Sequence, residues 1–215
     1  MLSCNHVLAD FASGTTLPAD TTVYRDGSGS SVVSLANLSE FVELNASPRD
    51  GSANVSNLAD AALAAISYGI QPRIIEGVTI RRSIAADIGQ QVEKHGIATC
   101  GTAGTVDDVS CDIRVNGTDG LSYLFVNQIR IVSNSRFKSF AARGDSGSLV
   151  FDRNAEAAVG LLFASGNEHF RPSDVAPGTE RNVDYALANP IDVVMTQLAA
   201  RLRDRTGATS LDLIV

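Results

Sequence analysis

Short apolar segments separated by turn-forming residues dominate the chain. In Val109–Val115 the odd-numbered positions are apolar and the even-numbered positions are polar. This two-residue period places the apolar side chains on one face of a strand. Other segments of strand length are also apolar and several are rich in Val and Ile: Ser31–Leu35, Phe41–Leu44, Gly77–Ile80, Ile97–Cys100, Tyr123–Val132, Ser148–Phe151 and Val159–Phe163. Many short strands with intervening turns predict an all-β barrel or sandwich.

Two further segments carry local predictions. Thr105–Asp108 lies between two predicted strands and predicts a hairpin turn. Asn57–Ile66 is rich in alanine, which favours a short helix, although tertiary context can override propensity.

The strongest helical pattern is Pro190–Arg203. Asn189 is the predicted N-cap, and proline suits the first helical position. Apolar residues recur at steps of three and four: Ile191, Val194, Met195, Leu198 and Leu202. This single stripe predicts that the helix packs on the body of the protein. The apolar tail Ser210–Val215 predicts either a last strand or a loose end.

The segment Ile70–Ala86 contains a proline, a glycine and a basic pair, and it predicts a connection between two halves. The predicted domains are residues 1–75, a partial barrel half, and residues 87–215, a second barrel half with the terminal helix.

Composition and charge exclude several classes of protein. Of the 215 residues, 44% are hydrophobic and 19% are charged, which is typical of a globular chain and not of a disordered one. The net charge of −7 argues against a nucleic-acid-binding surface, which is normally basic. No run approaches the roughly 18 consecutive apolar residues of a membrane span. No signal peptide is evident, so we expect a cytoplasmic location.

The three cysteines, Cys4, Cys100 and Cys111, predict reduced thiols and not a disulfide scaffold. They lack any Cys-x-x-Cys spacing, so we expect no zinc site. The sequence also has no calcium-loop signature, and we expect no other metal and no cofactor.

The stretch Arg143–Val150 carries the most informative chemistry. Glycines on both sides of Ser146 permit a tight, exposed turn. Such a turn can aim the serine hydroxyl into a cleft and direct the N–H groups of Gly144 and Ser146 at one point, as an oxyanion hole requires. The alternative is an ordinary surface loop, because Asp-Ser-Gly is common in turns.

A serine nucleophile needs a base, usually a histidine, and a carboxylate to orient that base. The candidate bases are His6, His95 and His169. The candidate carboxylates are Asp60 and Asp184, which both have small apolar neighbours. Local sequence does not rank these two, and Asp60 is equally suited to cap a short helix.

Three motifs together resemble the triad motifs of chymotrypsin-like serine peptidases. They are Leu2–Ala9, Asn57–Ala64 and Gly144–Ser148, in the order His, Asp, Ser that distinguishes this clan from other serine hydrolase folds. Val92–Val106 is similar to the opening hairpin of the second barrel, and the resemblance covers roughly residues 2–200. The Asn-His-Val-Leu motif is similar to that of the bacterial and plant Narrow-Leaf-type branch.

The resemblance implies two β-barrels followed by a helix, and a serine endopeptidase that acts through an acyl-enzyme on a polypeptide substrate. It implies that Ser146 is the nucleophile, that His6 is the base and that Asp60 orients His6. The Gly144 and Ser146 N–H groups would then bind the oxyanion, and Asp145 would shape the loop.

The resemblance also implies a specificity pocket built from the residues before the nucleophile and the strand after it. These residues are Phe140, Ala141, Phe163, Ala164, Ser165 and Gly166. Phe140 stands where the resemblance would place an aspartate in an enzyme specific for basic residues, so we expect a small or apolar preference.

The chain departs from the pattern at its start, because only five residues precede His6. We therefore expect an incomplete first barrel with open sheet edges. Three explanations stay open: a fragment or mis-started gene product, strands supplied by a partner or a second protomer, and a reduced first barrel. Two other functions stay open: a non-catalytic peptide-binding module or fragment of the same fold, and an esterase or other acyl transferase.

Overall fold

The computed structural model describes residues 1–9, 22–25, 33–47, 55–66, 77–117, 120–170 and 181–206. The elements are the strands and helices β1 (Leu2–Ser3), α1 (Asn5–Leu8), β2 (Thr22–Arg25), β3 (Val33–Phe41), β4 (Ser56–Asn57), β5 (Ala62–Ala65), β6 (Arg82–Ser83), β7 (Gln91–Gly96), β8 (Cys100–Asn116), β9 (Ser122–Ser133), β10 (Leu149–Asp152), β11 (Ala157–Phe170), β12 (Arg181–Pro190) and α2 (Ile191–Thr206). This content confirms the all-β prediction and the C-terminal helix.

The strands form two sheets. The first has the order β1-β5-β3-β2, and the second runs β10-β7-β8-β9-β12-β11-β6, with β4 beside β9. Because β10 also pairs with β11, the six strands from β10 to β11 close on themselves through hydrogen bonds. Alternate side chains of a closed barrel point inward and fill its interior.

The hairpin that opens this barrel turns at residues 97–99, between β7 and β8. The predicted turn at Thr105–Asp108 is wrong, since these residues lie inside the long strand β8. β8 pairs with β7 along its first part and with β9 further on, with register shifts near Asp108 and Cys111. Pairing with both neighbours keeps the segment extended, and the bulges absorb its irregular polar residues.

The predicted helix in Asn57–Ile66 is also wrong. Its residues end β4, pass through a short connection and form β5, which pairs with both β1 and β3. Ala59, Ala61, Ala62 and Ala64 are all buried. Hydrogen bonds on both sides of β5 outweigh the weak helical preference of alanine.

The terminal helix begins at Ile191, directly after β12. Ile191, Val194 and Leu198 are completely buried, as the apolar stripe predicted. Within the described residues, no helix is both long and apolar enough to cross a membrane. The tail Ser210–Val215 and residues 70–76 of the predicted connection lie outside the described residues.

One hydrophobic core joins residues from the two ends of the described chain. Cys4 and Val42 pack there with Phe125, Phe163 and Leu198. The first sheet and the closed barrel therefore meet across a shared apolar layer, and the segment carrying His6 is held at this junction. The division into residues 1–75 and 87–215 stays a prediction.

Candidate active site

His6 and Asp60 form a hydrogen-bonded pair. His6 lies in α1, and Asp60 lies in the connection between β4 and β5. The His6 Nδ1 atom is 2.5 Å from Asp60 Oδ2, and the His6 backbone N–H donates to Asp60 Oδ1 at 3.2 Å. The Asp60 side chain is 3% exposed and the His6 side chain 21%. An ionised carboxylate only accepts hydrogen bonds, so Nδ1 carries the proton and Nε2 is left as the basic nitrogen.

Asn189 holds the backbone of Asp60 in place. Its Oδ1 accepts from the Asp60 N–H at 3.1 Å, and its Nδ2 donates to the carbonyl oxygens of Asp60 at 3.2 Å and Leu161 at 3.3 Å. Asn189 is completely buried. Asn189, the predicted N-cap of the terminal helix, therefore binds the loop of Asp60 with its side chain. No local sequence signal indicates this role.

The loop of Ser146 is fixed by its glycine neighbour. Gly147 has φ +87° and its N–H donates to the Leu162 carbonyl at 2.7 Å. A Cβ atom on Gly147 would overlap the side chain of Ser3, so glycine is needed for both space and conformation. The Ser146 hydroxyl donates to the Phe163 carbonyl at 3.3 Å. The loop is thus bound to β11 through the Ser146 hydroxyl and through the N–H group of Gly147.

Asp145 anchors the same loop from within. Its carboxylate accepts from Lys94 Nζ at 2.8 Å, from the Thr99 hydroxyl at 2.7 Å, and from the N–H groups of Ala98 at 2.8 Å and Ala142 at 3.1 Å. Burial by itself would raise the pKa of Asp145, but these hydrogen bonds hold it well below its usual range. The carboxylate is therefore ionised and fully occupied with shaping the loop.

A cleft of about 490 Å³ brings the three predicted triad residues together. His6, Asp60 and Ser146 all line it, and so does Gly144. Its remaining lining is largely apolar and includes Val115, Tyr123, Phe125, Leu162 and Phe163. The rings of Phe125 and Phe163 lie 4.7 Å apart, which makes this wall aromatic.

The predicted specificity residues divide into two groups. Four of them line the cleft: Ala141, Phe163, Ala164 and Ser165. Phe140 is 1% exposed and packs in the barrel interior, close to Gly104. Gly166 lies against the ring of Tyr185, which occupies the space that a Cβ atom would need.

Two other candidate catalytic residues, His95 and Asp184, have described side chains that lie elsewhere. His95 is exposed on β7, opposite Gly101 of β8. His169 belongs to β11, and its side chain lies outside the described part of the structure. Asp184 is exposed and accepts hydrogen bonds from Ser139 at 2.5 Å and Asn167 at 3.1 Å. Among the candidate bases and carboxylates with described side chains, the geometry therefore favours His6 and Asp60.

Cys4 lies beside the histidine–aspartate pair and was not singled out by sequence. It is completely buried, and its thiol donates to the Leu162 carbonyl at 3.1 Å. Burial raises the pKa of Cys4 well above its usual value, and the negative charge of Asp60 raises it further. The thiol is therefore protonated.

Comparison with known proteins yields solved structures only. No family model and no curated protein match the chain. A glutamic-acid-specific serine protease that uses a histidine triad in substrate binding is 20% identical, with a TM-score of 0.52 over 98% of this chain and 85% of that one. Chymotrypsin of Cellulomonas bogoriensis is 15% identical, with a TM-score of 0.47 over 82% and 75%. Nocardiopsis protease is 18% identical, with a TM-score of 0.46 over 68% and 69%.

At these identities the likeness concerns the fold, and the resemblance to the Narrow-Leaf-type branch stays a prediction. The first of these structures matches nearly the whole chain, including the closed barrel and the C-terminal helix. The chain has the two-barrel fold of the chymotrypsin-like serine peptidases.

Proposed function

We propose that the protein is a serine endopeptidase in which Ser146 is the nucleophile, His6 the general base and Asp60 the residue that orients His6. The observation that carries this proposal is the 2.5 Å contact between His6 Nδ1 and Asp60 Oδ2 in a cleft that Ser146 also lines. A serine hydroxyl becomes an effective nucleophile only beside such an oriented base.

The reaction begins when His6 Nε2 takes the proton of Ser146 Oγ as this oxygen attacks the carbonyl carbon of a peptide bond. The hydroxyl leaves its contact with the Phe163 carbonyl for this step. The backbone N–H groups of Gly144 and Ser146 stabilise the oxyanion. His6 then gives the proton to the leaving amine, and water hydrolyses the acyl-enzyme through the same base.

The rigidity of the loop that carries Ser146 supports the assignment of Ser146 as the nucleophile. Asp145 binds the loop to the β7–β8 hairpin through Ala98 and Thr99, and Gly147 binds it to Leu162. An oxyanion hole is effective because its donors are oriented before the charge develops. The anchored loop is the structural basis for such preorganisation.

The lining of the cleft supports a small or apolar side chain next to the scissile bond. Ala141, Ala164 and Phe163 are apolar. The aromatic side chains of Tyr123 and Phe125 line the same cleft. An apolar lining favours the binding of apolar substrate groups, because binding removes these groups from water.

Labelling with a fluorophosphonate probe tests the proposal, because only an activated serine displaces fluoride from the phosphorus atom. We expect one adduct in the intact mass of the wild type and none in Ser146→Ala or His6→Ala. Ser165→Ala is the matched control, since Ser165 lines the same cleft, and it should still be labelled. A folded wild type without adduct would contradict the proposal and favour a peptide-binding module.

A substrate panel separates peptide hydrolysis from other acyl transfer. Peptides with varied residues before the scissile bond and the corresponding esters are incubated with wild type and Ser146→Ala. We expect cleavage of peptides with small or apolar residues at that position. Turnover of esters alone would replace the endopeptidase by an esterase.

A further inference from the structure

Cys4, His6 and Asp60 bring three different metal-ligating groups to one point. One ligand atom from each residue lies within 4.8 Å of the others. Cys4 and Asp60 are buried, and His6 is partly exposed toward the cleft. The peptidase mechanism uses His6 and Asp60 but has no role for the Cys4 thiol, which donates a hydrogen bond to the Leu162 carbonyl.

The chemistry of this set suits a thiophilic divalent cation. Thiolate, imidazole and carboxylate are the ligands of zinc, whereas calcium and magnesium prefer oxygen alone. Zinc bonds of about 2.0–2.3 Å place tetrahedral ligand atoms roughly 3.3–3.7 Å apart. The three ligand atoms lie within 4.8 Å of one another, and the His6 and Asp60 atoms are 2.5 Å apart. These distances lie on either side of the zinc range, so small side-chain movements bring the three atoms to the spacing that zinc needs.

The charges also balance. The thiolate of Cys4 and the carboxylate of Asp60 together carry two negative charges, which neutralise a divalent cation in a place largely shielded from water. Metal binding deprotonates a coordinating thiol, and the proton leaves to solvent. The cation can enter from the cleft, because His6, Asp60 and Leu162 all line it, and a water molecule from the cleft completes four ligands.

We propose that Cys4, His6 and Asp60 form an inhibitory site for a thiophilic divalent cation such as Zn²⁺. The metal takes the place of the hydrogen bond between His6 Nδ1 and Asp60 Oδ2. His6 is then turned and held by the metal, and it no longer serves Ser146 as a base. Binding itself is independent of catalysis, whereas the inhibitory effect rests on the proposed peptidase function.

Cobalt titration tests the binding site without any activity. Co²⁺ replaces Zn²⁺ in such sites, and its thiolate charge-transfer band in the near ultraviolet reports a cysteine ligand. We expect the band in the wild type and in Ser146→Ala, and no band in Cys4→Ser. Cys100→Ser is the matched control, since this cysteine is exposed on β8, and it should keep the band.

A band that persists in Cys4→Ser, or that is absent from the folded wild type, overturns the site. If Cys4→Ser does not fold by circular dichroism, Cys4→Ala tests the same ligand without a buried hydroxyl. Asp60→Asn, which keeps the shape of the side chain but loses its charge, should weaken cobalt binding by about tenfold or more.

Inhibition is measured separately as the rate of fluorophosphonate labelling with and without Zn²⁺. We expect saturating Zn²⁺ to slow labelling of the wild type by at least about tenfold, with recovery on adding a chelator. Each variant is compared with its own metal-free rate, and Cys4→Ser should change less than about twofold. Equal inhibition of both proteins would contradict inhibition through this site. No labelling in any condition would instead refute the proposed peptidase function, and the cobalt band would still decide the site.

Discussion

Lys94 Nζ and Asp145 Oδ2 lie 2.8 Å apart, and both side chains are completely buried. The pair joins β7 to the residue that precedes Ser146, and Thr99 and Cys100 provide further oxygen contacts for Lys94. A buried ion pair is tolerated only with such additional hydrogen bonds, because both charges lose their hydration. The loop that carries Ser146 thus depends on a cation from the barrel's own β7–β8 hairpin.

Replacing Lys94 by methionine should destabilise the protein by about 3–5 kcal/mol, because it leaves the buried Asp145 carboxylate without its counter-ion. The matched control is Arg153→Met, which breaks the partly exposed pair with Glu93 and should cost about 1 kcal/mol or less. Urea denaturation gives both free energies of unfolding. Similar losses in the two variants would show that the buried pair has no special role.

Acid should destabilise the protein through Asp145. Hydrogen bonds hold its pKa well below the ordinary value of 3.8, so the ionised form stabilises the folded state. This contribution is fully present above the unfolded pKa and is lost as the pH falls toward the folded one. The free energy of unfolding should therefore decrease steadily below about pH 4. The slope should be smaller in Asp145→Asn, and an unchanged slope would assign the effect to other groups.

Gly147→Ala should be more damaging than the same change at a glycine of similar conformation. Gly89 has φ +85° with open space around the position of a Cβ atom, so alanine there adds backbone strain of about 1–2 kcal/mol. At Gly147, with φ +87°, the new methyl group would also overlap Ser3. Thermal unfolding and probe labelling of the two variants isolate this overlap. Ser3→Gly in the Gly147→Ala background should recover part of the loss.

Asn189→Ala should reduce probe labelling and stability together. It leaves the buried N–H and carbonyl of Asp60 without their side-chain partner, at a cost of about 1–3 kcal/mol. Asn134→Ala is the control, since Asn134 is exposed and its loss should change stability by about 0.5 kcal/mol or less. Labelling of Asn189→Ala at the wild-type rate would show that Asp60 is held without it.

Much of the fold and the site follows from local sequence. The two-residue period of apolar positions in Val109–Val115 identified the second part of β8, and the three- and four-residue period identified α2, because each element imposes its period on neighbouring side chains. Gly147 beside Ser146 indicated a tight loop, because few residues other than glycine adopt its backbone conformation. The resemblance of the motifs around His6 and Asp60 then suggested the pair that the structure brings together.

Other features were decided only by tertiary structure. Local sequence did not rank Asp60 above Asp184. What distinguishes Asp60 is its contact with His6, which lies 54 positions away in the chain. The Asn189 side chain acts across 129 positions, and the Cys4 thiol across 158. Local patterns carry no information about such distant pairs, because the closing of the sheets determines which side chains meet. For the same reason, the sequence predicted no metal ligands where folding brings a thiol, an imidazole and a carboxylate together.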